Sequence, residues 1–217
     1  MSNGRRLTAR GRERRDELME YATRRFAENG FHPTSVSEIV DGVGVGKGVF
    51  YWYFPSKDDL LLEILRAALF DLRRCQQAAL SGAEDPLQRI ERGIRASLLW
   101  SAAHPEIMKL VMFGWTEESF ALALAKGRRI SIADAARHVQ DAIDAGLVAP
   151  GDPHMLAAAI RGVTDELARV YLADGQGPPD EAVIATAVRM CLGGLDRSGP
   201  DGAEVGQGPA QVADGLQ

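Results

Sequence analysis

The sequence predicts an all-α chain: a small three-helix domain with a helix-turn-helix at the N-terminus, then a larger helical domain. Three observations predict it. Apolar residues recur three and four apart, the spacing that puts them on one face of a helix. No alternating apolar–polar run lies between turn signals, so no strand is expected. Gly, Pro and Asn punctuate the chain at helix-sized intervals.

The first helix is expected over Arg12–Asn29, with Leu18, Tyr21, Ala22 and Phe26 as its apolar stripe. Asn29-Gly30 stops it, because glycine tolerates the backbone reversal at a helix C-terminus. Thr34-Ser35-Val36-Ser37-Glu38 offers capping hydroxyls for a second, short helix with Val36, Ile39 and Val40 on its apolar face. Gly42 and Gly44 break that helix. A third helix is expected over Val45–Phe54, ended by Pro55, and Ser56 caps a fourth over Lys57–Ala79. Longer helices follow, with breaks at Asp85-Pro86, His104-Pro105, around Gly114, from Gly146 to Pro153 and from Asp174 to Pro179. The expected domains are 1–56, a helix-turn-helix unit with a basic arm, and 57–195, a helical unit. Residues 196–217, rich in Gly and Pro and poor in apolar residues, are expected to form a disordered tail.

Net charge is −5 over 217 residues, but its distribution is uneven. Residues 1–57 hold ten Lys+Arg against seven Asp+Glu, whereas the rest holds fifteen against twenty-three. Arg5, Arg6, Arg10, Arg12, Arg14 and Arg15 crowd the start, which points to an anionic partner at that end. No stretch has the roughly 18 consecutive apolar residues of a membrane span. The N-terminus lacks the apolar core of a signal peptide, so a cytoplasmic protein is expected. Cys75 and Cys191 stand far apart and His104 and His138 lack partners at ligand spacing, so neither a disulfide nor a metal is expected. No nucleophile–base pair or paired carboxylates argue for an enzyme, and no cofactor is called for.

Val43-Gly44-Val45-Gly46-Lys47-Gly48-Val49 precedes five consecutive aromatics, Phe50 to Phe54, in a chain with only fourteen. It is not a phosphate loop. Asp41 stands where a Walker glycine is needed, Gly48 where Ser or Thr is needed, and no strand precedes it. Two short helices around a tight glycine turn instead match a helix-turn-helix, whose second helix enters the DNA major groove. Phe50 and Phe54, four apart, can anchor that helix to Phe26 and Ile39. Gly48, Tyr51 and Trp52 then face outward, and Gly46 and Gly48 leave room for a close approach.

Several motifs occur together: Ala22-x-x-x-Phe26, Asn29-Gly30-Phe31, Thr34-Ser-Val-Ser-Glu-Ile39, Gly44-Val45, Lys47-Gly48, Tyr51-x-Tyr53-Phe54 and Ser56-Lys57-x-x-Leu60. In this order and without gaps, residues 10–62 resemble the DNA-binding domain of TetR-family transcriptional regulators. The resemblance implies that Val45–Phe54 is the recognition helix. It implies that Lys47 and Gly48 approach bases or phosphates, and that Tyr51, Tyr53, Thr34, Ser35 and Lys57 contact phosphates. The sequence departs from the family at Gly46, where a small hydroxyl residue is common, at Val49, where Thr or Ser is frequent, and at Trp52, bulkier than most occupants. Val49 can make only apolar base contact, such as with a thymine methyl.

In the second domain, Leu156, Ile160, Val163, Leu167 and Val170 form one helical seam, and Ile184, Val188, Cys191 and Leu195 another. The resemblance implies that these pair two subunits into a homodimer, giving two recognition helices one DNA turn apart. Trp100, His104, Met108, Met112, Phe113, Trp115 and Phe120 suit an apolar pocket, with Arg161 and Asp165 as its polar groups. The implied function is a repressor of double-stranded operator DNA, released by a small, largely apolar effector, with no membrane partner. Two other readings share the fold: a helical small-molecule binder without specific DNA binding, and an activator or ligand-independent DNA binder.

Overall fold

A computed structural model describes residues 8–83, 85–171 and 181–195. The expected tail, Arg5, Arg6 and the Asp174–Pro179 break lie outside these residues. The described residues form nine helices and no strand: α1 (Ala9–Asn29), α2 (Val36–Val43), α3 (Lys47–Tyr53), α4 (Lys57–Ala79), α5 (Pro86–Ala103), α6 (Pro105–Thr116), α7 (Glu118–Asp144), α8 (Pro153–Tyr171) and α9 (Glu181–Gly193). None is long and apolar enough to cross a membrane.

The caps explain most boundaries. Thr8 Oγ1 accepts from Gly11 N at 3.1 Å, so α1 begins three residues before the expected Arg12. Ser56 Oγ accepts from Asp59 N at 3.0 Å and opens α4 where expected. Asp85 caps α5 with Pro86 in its first turn, a position where the missing N–H costs nothing. The break expected around Gly114 falls instead at Glu117. Gly114 is buried inside α6, where a β-carbon would come within 2.9 Å of Leu124 Cδ1, so the glycine serves close helix packing rather than a turn.

Two apolar cores organise the chain. Leu18, Phe26, Ile39, Phe50 and Phe54 from α1–α3 and the segment after α3 join Leu60, Leu61 and Leu65 of α4, and then Leu110, Phe120 and Leu124 of α6 and α7. Each such side chain stabilises the fold by roughly 1.5–3 kcal/mol. The first core therefore runs across the boundary expected at 56/57. Phe31 is the joint: its ring centroid lies 5.2 Å from that of Phe26, 5.4 Å from Phe113 and 5.5 Å from Phe120. The second core gathers Ile90, Ile94 and Leu98 of α5, Val139 of α7, Ala157 of α8 and Ile184 of α9.

Candidate nucleic-acid interface and interior cavity

The α2–α3 corner is built by backbone geometry. Gly44 ends α2 in the left-handed region (φ 72°, ψ 36°), and Val45 N donates to Val40 O at 2.9 Å, which closes the last turn of α2. Gly42 lies under the Tyr21 ring of α1, where a β-carbon would fall 1.9 Å from Cζ, so any side chain there would have to displace that ring. Ser35 caps α2, its Oγ accepting from Glu38 N at 3.1 Å. Arg25 Nε donates to Glu38 Oε1 at 2.7 Å and ties α2 back to α1. Arg15 lies 5.3 Å from the centre of the Phe54 ring and pairs with Glu63 of α4 at 2.6 Å, so this member of the basic arm holds α1 to α4.

Phe50 and Phe54 are 0% and 1% exposed and anchor α3 as the sequence predicts. The opposite face carries Gly46, Lys47, Gly48, Val49, Tyr51 and Trp52, all exposed. A β-carbon at Gly46 or Gly48 would meet nothing within 4 Å, so the chain's own packing does not require glycine at either position. Gly46 is the extended N-cap residue of α3, where glycine is well tolerated, whereas Gly48 lies inside the helix and costs roughly 1 kcal/mol relative to alanine. Both positions leave the backbone bare on this outward side of α3. Tyr53 is half-buried, edge-on to Trp52 at 4.5 Å, and packs against the first core.

Two expected phosphate contacts are placed otherwise. Thr34 is fully buried and its Oγ1 donates to Gly30 O at 2.9 Å, so the hydroxyl locks the α1–α2 turn. Lys57 Nζ donates to the carbonyls of Phe31 (2.7 Å), His32 (3.2 Å) and Thr34 (2.9 Å), and sits 4.4 Å from the centre of the Phe31 ring. All three of its donors are engaged, and burial holds the ammonium below its ordinary pKa. The lysine staples α4 to the α1–α2 turn; it does not face outward as a free charge.

The residues expected to line a pocket do not converge on one. Phe113 and Phe120 belong to the first core and join α6 and α7 to Phe31. Trp100 donates from Nε1 to Asp71 Oδ2 at 2.8 Å and stacks on His104 at 4.3 Å. Met108 packs on the second core, while Met112 and Trp115 are exposed. The reason is that α6 lies against α1, so its bulky face couples the two parts of the molecule.

The interior cavity lies instead between α4, α5, α7 and α8, with a volume of 140 Å³. Arg161 and Asp165 border it, as the sequence predicts. The others were missed: Gln76 of α4, Gly93, Ser97 and Ser101 of α5, and Ser131 and His138 of α7. A signal was present, since Gly93, Ser97 and Ser101 step by four and interrupt the apolar face of α5 with small, polar side chains. Gln76 Nε2 donates to Ser97 Oγ at 2.7 Å, and Arg161 Nη1 to Ser131 Oγ at 2.6 Å. The Nδ1 of His138 is buried with no hydrogen-bond partner. Burial first, then the neighbouring Arg89, lowers its pKa below the ordinary 6.5 and keeps the ring neutral at pH 7.

Most residues of the two seams expected to pair subunits pack within their own chain. Ile184, Val188, Cys191 and Leu195 are buried in the second core of their own chain, and Leu156, Ile160, Val163 and Leu167 pack beside it. Apolar helical stripes look alike whether they face the chain's own core or a partner. Val170 alone of those residues is well exposed, at 48%. It continues an outward stripe on α8 through Met155, Ala159, Gly162 and Glu166, spaced four, three, four and four apart. On α9 the outward side carries Ala182, Arg189 and Met190.

Comparison with known proteins bears on this arrangement. Residues 18–64, spanning α1 to α4, match the family model described as "Bacterial regulatory proteins, tetR family". The HTH-type transcriptional repressor KstR2 of Mycobacterium tuberculosis is 35% identical over 92 residues, 42% of this chain and 46% of KstR2, so the match spans about half of that relative. The HTH-type transcriptional activator FasR of Mycolicibacterium smegmatis is 27% identical over 186 residues, 84% of this chain and 83% of FasR. The structure of the fatty acid degradation regulator FadR from Bacillus halodurans superposes with a TM-score of 0.77 at 17% identity, covering 89% of this chain and 100% of FadR, and shows the same fold.

Proposed function

We propose that this chain, whose residues 18–64 match the TetR family of regulators, is a homodimeric repressor of that family, released from a palindromic operator by a small effector. The uncovered face of α3 carries the reading. Its aromatic anchors are buried, its outward residues are bare, and its two outward glycines have no role in the chain's own packing. In the bound state Lys47 and the hydroxyls of Tyr51 and Ser35 meet phosphates, and Val49 and Trp52 meet base edges in the major groove. The outward stripe of α8, with α9 beside it, supports pairing of two copies. Its small residues allow close helix approach, and a two-fold dimer matches the two half-sites.

The effector enters the cavity between α4, α5, α7 and α8. Two linkages carry its effect to α1–α3: the Lys57 staple at the start of α4, and the ring contacts of Phe31 with Phe113 and Phe120. Effector binding favours a dimer with misplaced recognition helices, and the operator is released by population shift. Fluorescence anisotropy on DNA from upstream of the protein's own coding region, against a scrambled duplex over a salt series, tests the reading. Tight, salt-sensitive preference for the native fragment is expected. Equal, weak binding to both duplexes would sink it. A second reading, activation from the same operator, draws on FasR, which is named an activator and matches most of this chain. Target transcripts that fall rather than rise when the protein is removed would favour activation.

A further inference from the structure

The cavity opens toward a groove on the outer side of α4 and α7, with a volume of 740 Å³. Five residues, Leu72, Arg73, Gln76, Ser131 and Arg161, border both spaces and form a collar between them. The collar is set by polar contacts: Arg161 to Ser131 at 2.6 Å and to Asp165 at 3.0 Å, and Arg73 to Asp134 at 2.7 Å. Five cations line the outer groove, Arg66, Arg73, Lys126, Arg129 and Arg161, and no carboxylate does. This is unexpected on the acidic part of an acidic chain. Arg66, Arg73 and Arg161 are each offset by an acid outside the groove, Glu63, Asp134 and Asp165. Lys126 and Arg129 make no ion pair among the described residues. Phe70, Leu122 and Ile130 also line the groove and are exposed at 72%, 74% and 43%.

Resting on the reading that the cavity takes an effector, we propose that the effector is an anionic amphipath. Its apolar end enters the inner cavity through the collar, and its phosphate or carboxylate head is held in the outer groove by Lys126 and Arg129. The sizes fit this division. A space of 140 Å³ holds a group about the size of one aromatic ring, whereas the groove is in the range of small-molecule sites. The two cations without an ion pair, Lys126 and Arg129, leave the groove net positive, and a desolvated anion gains most from that charge. The unpartnered His138 Nδ1 in the inner cavity calls for one polar atom, a hydroxyl or carbonyl, on the buried end of the ligand.

The test uses three probes below micelle-forming concentration: dodecyl phosphate, dodecanoate and neutral dodecyl maltoside. Binding to the full-length protein is measured by calorimetry, and operator release by anisotropy in parallel. Dodecyl phosphate or dodecanoate is expected to bind at least about tenfold more tightly than the maltoside. The comparison of the two acids identifies the preferred head. The double variant Lys126→Ala/Arg129→Ala is expected to lose at least about tenfold in affinity for the anions and nothing for the maltoside. Lys126 and Arg129 are exposed, so its circular dichroism and Tm should match the parent. Equal affinity for charged and neutral probes, an unchanged affinity in the double variant, or no binding of either anion would each overturn the proposal. Charge-dependent binding that leaves the operator bound would support the anionic site and overturn the effector reading instead. Release by charged and neutral probes alike would keep the effector reading and discard this one.

Discussion

Lys47 and Lys57 lie ten residues apart with the same charge, and their surroundings give them different work. Lys47 is exposed at the start of α3, whereas the Lys57 ammonium is held by three carbonyls. Lys47→Ala should lower the slope of log affinity against log salt by about 0.9, one phosphate contact, and leave Tm unchanged. Lys57→Met should leave that slope unchanged and destabilise the fold by about 2 kcal/mol in urea titration, the scale of hydrogen bonds to a charged group. A reduced slope for Lys57→Met would return it to the interface. Position within a motif made both lysines legible, but not which carbonyls the folded chain would bring to one of them. Gly44 was fully legible, because a turn between two short helices needs a left-handed residue. Gly44→Ala at φ 72° should cost about 1–2 kcal/mol, read by the same titration.

Helix faces were readable from spacing, but what each face meets was not. The anchoring side of α3 and the start of α4 followed from Phe50, Phe54 and Ser56 alone. On α6, spacing could not distinguish a pocket wall from a joint, and Phe113 turned out to contact Phe31. Phe113→Ala should lower stability by about 2–4 kcal/mol and weaken transmission of effector binding to the operator, measured as a smaller effector-induced change in anisotropy midpoint. On α9, Cys191 faces α8, its thiol 3.8 Å from Ile160 O, and burial pushes its pKa up to about 11. Cys75 is exposed. A thiol reagent at pH 8 should therefore label one cysteine per chain quickly and the second only on unfolding. Two fast thiols would show that α8 and α9 separate in solution. On α7, His138 gives a pH dependence whose sign follows from burial and from Arg89 and Arg137, which outweigh Asp141 and Asp134. Its pKa is lowered in the folded chain, so the unfolded chain binds the proton first. Stability is full above about pH 6.5 and falls as pH drops below it. His138→Gln should flatten the change of Tm between pH 7 and 5, and an unaltered profile would remove His138 as the cause.

At the scale of the whole molecule, the sequence disclosed two helical parts but not how they share a core. It disclosed apolar stripes on α8 and α9 but not that most of them face inward, because a chain's own core and a partner's surface select the same residues. The residues facing out on α8 include Gly162, where a β-carbon would meet nothing within 4 Å. Gly162→Glu should therefore leave the protomer folded and halve the mass seen by sedimentation, with operator affinity lost alongside. A dimer that persists would move the interface elsewhere.

The first core, which seals Phe26, Phe50 and Phe54 under Leu60, Leu61 and Leu65 and continues into Leu110, Phe120 and Leu124, also bears on portability. The DNA-reading head is not a detachable cartridge. Cut at residue 56, it would carry its aromatic residues without their lid. A chimera that transplants this head is expected to need a splice beyond Leu65 of α4 together with the matching faces of α6 and α7, and to give less soluble protein when spliced at residue 56.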